Sequence, residues 1–188
     1  EESIKDLKNA IEPLKKNINN INKYIICAGC RCCEKICPVN AIEMKENKEG
    51  FIEPVVNEEK CISCGLCLKR CPQINKLEIE EIEQKAYATQ NKNDEDLKIS
   101  SSGGMFIAFA KNIISRDGVV YGAAYDQNLK VNHIRVENIE ELKLLQGSKY
   151  VQSDTADTFE QTKNDLISGR KVLFSGTPCQ IAGLKQYL

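Results

Sequence analysis

The sequence predicts two unlike parts in series: a small cysteine-rich α+β unit, then an α/β domain that stops before it is complete. Three observations predict this. Nine of the ten cysteines fall between residues 27 and 71, and eight of them form two copies of one spacing. From residue 85 cysteine vanishes until Cys179, and β-rich runs alternate with helical ones, the order of an α/β domain with a mainly parallel sheet. The chain starts without Met at "EESIKDL" and stops at "GLKQYL" within a helical pattern, so both ends are expected to lie inside a longer protein.

Composition limits the possibilities. Hydrophobic residues make up 41% of the 188, enough for a packed core, and the formal net charge is −1. No basic field points to nucleic acid or to an anionic membrane surface. No apolar run reaches the roughly 20 residues of a membrane-crossing helix, and no basic-then-apolar start reads as an export signal. The expected location is therefore cytoplasmic. Ten cysteines in 188 residues fall below the roughly 8–10% of a secreted disulfide scaffold. Local clustering without an export signal favours metal.

Residues 1–24 carry Ile4, Leu7, Ile11, Leu14, Ile18 and Ile21 at alternating steps of three and four, an amphipathic helical stripe that Pro13 should kink. Packing on its own domain is the favoured reading, ahead of a partner-binding coiled coil.

Residues 25–75 hold the repeat. "CAGCRCCEKICP" and "CISCGLCLKRCP" both read C-x2-C-x2-C-x3-C-P, the second 34 residues beyond the first. Thiolates two residues apart wrap one loop around three irons of a cubane. The fourth cysteine belongs to the next helix and, in two-cluster proteins, ligates the other cluster. The expected sets are Cys27, Cys30, Cys33 and Cys71 for one [4Fe–4S] cluster, and Cys61, Cys64, Cys67 and Cys37 for the other. Gly29 and Gly65 lie where backbone must come close to sulfide. A zinc ribbon uses separated C-x-x-C pairs and fits this spacing poorly. Cys32 stands outside the pattern; its counterpart is Leu66, so it is expected to fill a small apolar slot, with rescue of a lost ligand as the alternative. The segment resembles a bacterial-type two-cluster ferredoxin domain, an α+β ferredoxin-like iron–sulfur fold, with "GFIEPVVNEEKC" supplying a strand before the second loop.

Residues 76–84 read as an acidic connector. From 85 to 188 the expected elements are a strand in "KAYATQ", a helix after "SSGG", strands in "VVYGAAYD" and "VNHIRV", helices in "IEELKLL" and "TADTFEQTKNDLI", a strand in "KVLFS", and a helix opened by Thr177-Pro178 as N-cap and first helical residue. Small residues before two of these helices leave backbone N–H groups free for an anion, but taken singly a tight turn and a plain helix cap are the favoured readings. No G-x-G-x-x-G or P-loop pattern occurs.

The strings "SSGGMF", "GVVYGAAYD", "GSKYVQSD" and "VLFSGTPCQIAGLK", in this order, resemble the beta-subunit family of coenzyme F420 hydrogenases and dehydrogenases over about residues 84–188. The resemblance ends where the C-terminal half of that family should begin. It implies FAD, iron–sulfur clusters and hydride chemistry on a deazaflavin or another hydride-carrying small molecule, with a redox partner protein or ferredoxin as electron carrier. By that resemblance Ser102, Gly103 and Gly104 would meet phosphate or ribityl oxygens. Lys149, Tyr150, Thr177 and Gln180 would surround the flavin. Cys179 is read as a small packed residue near the cofactor, ahead of an extra cluster ligand or redox thiol. His133, the only histidine, is read as an ordinary strand residue ahead of a proton donor. The leading function is thus an iron–sulfur flavoprotein oxidoreductase or subunit. The alternatives are a non-catalytic ferredoxin-type electron-transfer protein with an α/β docking module, and a scaffold whose clusters are structural.

Overall fold

The computed structural model describes residues 16–19, 27–76 and 85–188. The amphipathic stripe of residues 1–24 and the acidic connector therefore lie mostly outside the described residues.

In the cysteine-rich part each loop ends in a residue with left-handed backbone that launches a one-turn helix. Arg31 (φ 61°) precedes α1 (Cys32–Lys35), and Gly65 (φ 72°) precedes α2 (Leu66–Lys69). Between them β1 (Ile42–Glu46) and β2 (Ile52–Val56) pair antiparallel, Ile42 opposite Val56 and Met44 opposite Pro54. The turn joining them is closed by the Asn47 side chain, whose oxygen accepts from the N–H groups of Glu49 and Phe51. Alternation along the strands turns Ile42, Met44 and Val56 inward, where they pack with Ile18, Cys33 and Cys67.

The second part is a three-stranded sheet in the order β4-β3-β5. Strand β3 (Val119–Tyr125) pairs antiparallel with β4 (Val131–Val136) and parallel with β5 (Val172–Phe174). The sheet is thus mixed where a mainly parallel one was expected. The link from β3 to β4 is a short turn gathered by Asp126, whose carboxylate accepts from Asn128 and Lys130 N–H. A link that short can only make a hairpin. The crossover through α5 (Leu142–Leu145) and α6 (Thr158–Ile167) is long enough to bring β5 parallel to β3.

The short helix α3 (Asp94–Lys98) starts at Asn93, whose side chain accepts from Asp96 N–H. The longer α4 (Met105–Ile114) covers one face of the sheet with α5, burying Ile107 and Ala110 against Val120, Ala124 and Leu142. On the other face Tyr121 reaches α6, its hydroxyl donating to Asp165, and Phe174 stacks on Tyr121 and His133. Residues 85–90, expected as a strand, are exposed and form none. Their role is local: Asn91 N–H bonds the Gly103 carbonyl, and the Thr89 carbonyl occupies the space a Gly103 side chain would need.

The two parts meet along α7 (Pro178–Tyr187) and residues 152–157. Gly183 lies against Cys30, and Cys32 packs between Phe159 and Leu184. Arg70 donates to the Gln186 carbonyl and Gln186 to that of Asn75, both at 3.0 Å.

Candidate functional site

Two cavities in the cysteine-rich part are walled by thiols. One is lined by Cys37, Cys61, Cys64 and Cys67 with Ile42, Val56 and Ile62. The other is lined by Cys27, Cys30, Cys33 and Cys71, with Cys32 on its wall. Each cavity draws its fourth thiol from the opposite copy of the repeat. Among the described residues no three Cys, His, Asp or Glu side chains converge tightly enough to hold a single ion; the thiols are spread over the cavity walls. Burial pushes the Cys30 thiol up to about 11 and the Cys32 thiol up to about 12. Burial also raises Cys27, Cys33 and Cys67. Such pockets favour neutral thiols unless a metal centre supplies the positive charge that holds thiolates.

The extra cysteine of the first loop, Cys32, is fully buried and directs its Sγ to the Arg70 carbonyl at 3.3 Å. Its packing is with Phe159 and Leu184, so it seals the contact between the two parts.

A larger open cavity lies between the sheet, α7 and the first cysteine loop. Its walls include Lys149, Thr177, Cys179 and Gln180, and also Ala28, the residue between Cys27 and Gly29. A second lobe shares Phe106, Leu145, Gly147, Ser148 and Ser175 with it, and adds Ser102 and Gly104. Gly103 is packed on Thr89, and Tyr150 is 92% exposed; neither lines the two lobes.

Several cavity residues are already engaged. Lys149 Nζ donates to the carbonyls of Leu144 (3.1 Å) and Gln146 (2.8 Å), and burial lowers its pKa. Gln180 accepts from Thr177 N–H at 2.9 Å, closing a capping box, and donates to the Ser153 carbonyl at 3.1 Å. His133 is buried between the Ser153 hydroxyl (Nδ1, 2.5 Å) and the Ser175 carbonyl (Nε2, 3.0 Å). The carbonyl can only accept, so Nε2 carries the proton and Nδ1 accepts from Ser153. Burial lowers the His133 pKa, keeping the ring neutral. These contacts make His133 and Gln180 the braces of the cavity rim. Cys179 lines the same cavity, with its Sγ 3.0 Å from the Thr177 hydroxyl.

Sequence reasoning missed the segment that joins the cavity to the cysteine loop. Residues 152–155 run beside β4, with His133 N–H bonded to the Asp154 carbonyl and Asp154 N–H to that of Val131. From there Gln152 accepts from Ile52 N–H at 2.9 Å and Thr155 donates to the Cys30 carbonyl at 3.4 Å. Asp154 pairs with Arg31 through two bonds, one of them Nη2 to Oδ2 at 2.7 Å. Burial alone would raise the Asp154 carboxyl, but Arg31 and the Ala156 N–H outweigh it and hold it below the usual carboxylate value. Lys35 pairs with Asp157. The available signal was the string "GSKYVQSD", noted for its resemblance only, whose Gln152, Ser153 and Asp154 are polar.

These features define a class: a cysteine-rich domain of the iron–sulfur electron-transfer type joined to a mixed α/β part. Residues 26–74 match the family of 4Fe-4S dicluster domains. The chain is 28% identical over 172 residues to the coenzyme F420-dependent sulfite reductase of Methanocaldococcus jannaschii, covering 90% of this chain and 26% of that protein. It is 21% identical over 176 residues to a subunit of the F(420)H(2) dehydrogenase of Methanosarcina mazei, covering 87% of this chain and 49% of the other. Within the cysteine-rich part it is 38% identical over 55 residues to the ferredoxin-type protein NapF of Haemophilus influenzae, covering 29% of this chain and 31% of that one. The chain thus spans about a quarter and about half of the two long relatives, and the resemblance read from its sequence recurs in them. Among the described residues no helix is long and apolar enough to cross a membrane.

Proposed function

We propose that this chain is the electron-relay part of an iron–sulfur flavoprotein oxidoreductase. In this reading Cys27, Cys30, Cys33 and Cys71 hold one [4Fe–4S] cluster and Cys61, Cys64, Cys67 and Cys37 hold the other. The large cavity takes FAD, and a hydride-carrying small molecule of the deazaflavin class reacts there. The observation that carries the proposal is a shared wall: Ala28, inside the first cysteine loop, also lines the large cavity. A ligand in that cavity lies next to one thiol-walled cavity and away from the other.

The residues fit both groups. Each smaller cavity is walled by the four thiols of one expected set, the donor number of a cubane, with Cys32 as a fifth thiol on one of them. The lobe containing Ser102 and Gly104 also contains Gln146, whose Nε2 is buried without a hydrogen-bond partner, a donor matched to an acceptor-rich ligand. Lys149 has a third N–H beyond its two carbonyl bonds. Thr177 opens α7 at the cavity rim, and Gln180 and His133 hold that rim in place. Gly103 acts by allowing the 103–104 turn to sit on Thr89, and Tyr150 offers an exposed ring next to Lys149. When bound, a flavin supplies the exchange between two-electron hydride transfer and one-electron carriers. The external partner is a one-electron carrier protein such as a ferredoxin.

Anaerobic purification with iron quantitation, electron paramagnetic resonance and flavin extraction tests this. About eight irons and one flavin per chain are expected. Eight irons without flavin, together with no oxidation of a hydride donor, would leave only the ferredoxin-type carrier.

A further inference from the structure

We infer that Gln152 is a positioning residue that ties the large cavity to the Cys27–Cys30–Cys33–Cys71 centre and sets that centre's potential separately from the other. The inference rests on the iron–sulfur reading above.

The internal repeat supplies the comparison. Gly29 and Ser63 are equivalent positions, and both have left-handed backbone, φ 64° and 55°. Backbone conformation alone therefore does not require glycine in this loop. What differs is the surroundings. A Cβ on Gly29 would stand 2.3 Å from Gln152 Nε2 and 2.9 Å from the Ile52 carbonyl oxygen. The missing side chain at 29 is the space that Gln152 enters. Its Oε1 is fixed by Ile52 N–H at 2.9 Å, so the amide is oriented with its N–H groups toward the loop. That loop is the one whose Gly29 N–H lies 3.4 Å from Cys27 Sγ. The same side chain lines the large cavity. Gln152 is thus a partition one side chain thick between cavity and cysteine loop.

The second centre has a carboxamide of its own. Asn17 is buried, and its Nδ2 lies 3.7 Å from Cys61 Sγ and 3.0 Å from Glu58 Oε1. The two centres are therefore faced by donors from different parts of the chain. Donors and charge near cluster sulfurs set the potential of each one-electron step, in which the centre gains one electron and one negative charge.

The test is a redox titration of the anaerobically purified protein with both centres filled, followed by electron paramagnetic resonance. Gln152→Glu keeps the acceptor for Ile52 N–H and places a carboxyl beside the loop. It is expected to lower one of the two midpoint potentials and leave the other unchanged. Gln152→Met, similar in volume and uncharged, is expected to shift the same potential in the same direction by less. Asn17→Leu is expected to lower the other potential, which identifies the two. With iron content equal to the parent, the inference is overturned if neither Gln152 variant moves a potential. It is equally overturned if both potentials move together, or if the Gln152 and Asn17 variants move the same one. A parent protein without two four-iron signals removes the iron–sulfur reading, and this inference with it.

Discussion

At the scale of single residues, the two copies of the repeat differ where one of them is docked. Arg31 occupies a left-handed position that its counterpart Gly65 fills without cost. A non-glycine residue there costs roughly 1–2 kcal/mol. The Arg31 guanidinium offsets this by binding Asp154 and Glu34 together. Cys32 stands where the second copy has Leu66, and it is fully buried against Phe159 and Leu184. Changing Cys32 to Ser is expected to leave iron content at the parental level and to cost about 1 kcal/mol of stability. Cys33→Ser is expected to lose about half the iron. Equal iron loss in the two variants, by colorimetric assay, would make Cys32 a ligand.

At the scale of elements, the α/β part is fastened by a polar cluster behind the sheet. Tyr121 of β3 and Arg135 of β4 both bond Asp165 of α6, with Arg135 Nε 2.8 Å from Oδ2. Arg170 and Glu137 extend the cluster to the surface. Arg135, against the opposing effect of burial, holds the Asp165 carboxyl below its ordinary value. A depressed carboxylate pKa contributes stability that is present above the unfolded value, about 3.9, and is lost as pH falls through the folded one. Asp165→Asn is therefore expected to lower the melting temperature at pH 7 and to flatten its decline below about pH 4. Melting curves across pH 2–7 check this; a decline as steep as the parent's would assign the acid sensitivity elsewhere. Apart from the strand expected at 85–90, element types were readable from periodicity and caps: the helices after Gly104 and Thr177 start where small residues and a Thr-Pro cap indicated. Strand direction was not, because a local pattern carries no information on which neighbour a strand pairs with.

At the scale of the whole molecule, the contact between the two parts combines apolar packing of Cys32 on Phe159 and Leu184 with polar pairs between residues 152–157 and the first cysteine loop. Arg31–Asp154 is its most shielded pair, with side chains 15% and 29% exposed. Asp154→Asn keeps the shape and removes the charge. It is expected to cost about 1–3 kcal/mol and to separate one cooperative melting transition into two, with iron content unchanged. Calorimetry reads this directly; a single transition at the parental temperature would mean the pair contributes nothing to docking.

Residue order by itself determined that eight cysteines form two equal sets with a fixed offset, since cubane ligation constrains spacing along the chain. It also determined that an alternating α/β region follows. Only the tertiary structure decided that Gly29 is glycine because of Gln152, that Cys32 is a packing residue, and that one thiol-walled cavity adjoins the large cavity. These depend on contacts between positions about a hundred residues apart or more, such as Ile52 with Gln152 and Arg31 with Asp154. Such contacts leave no periodic trace in a single sequence, because the packing partner sets the residue type and local conformation does not.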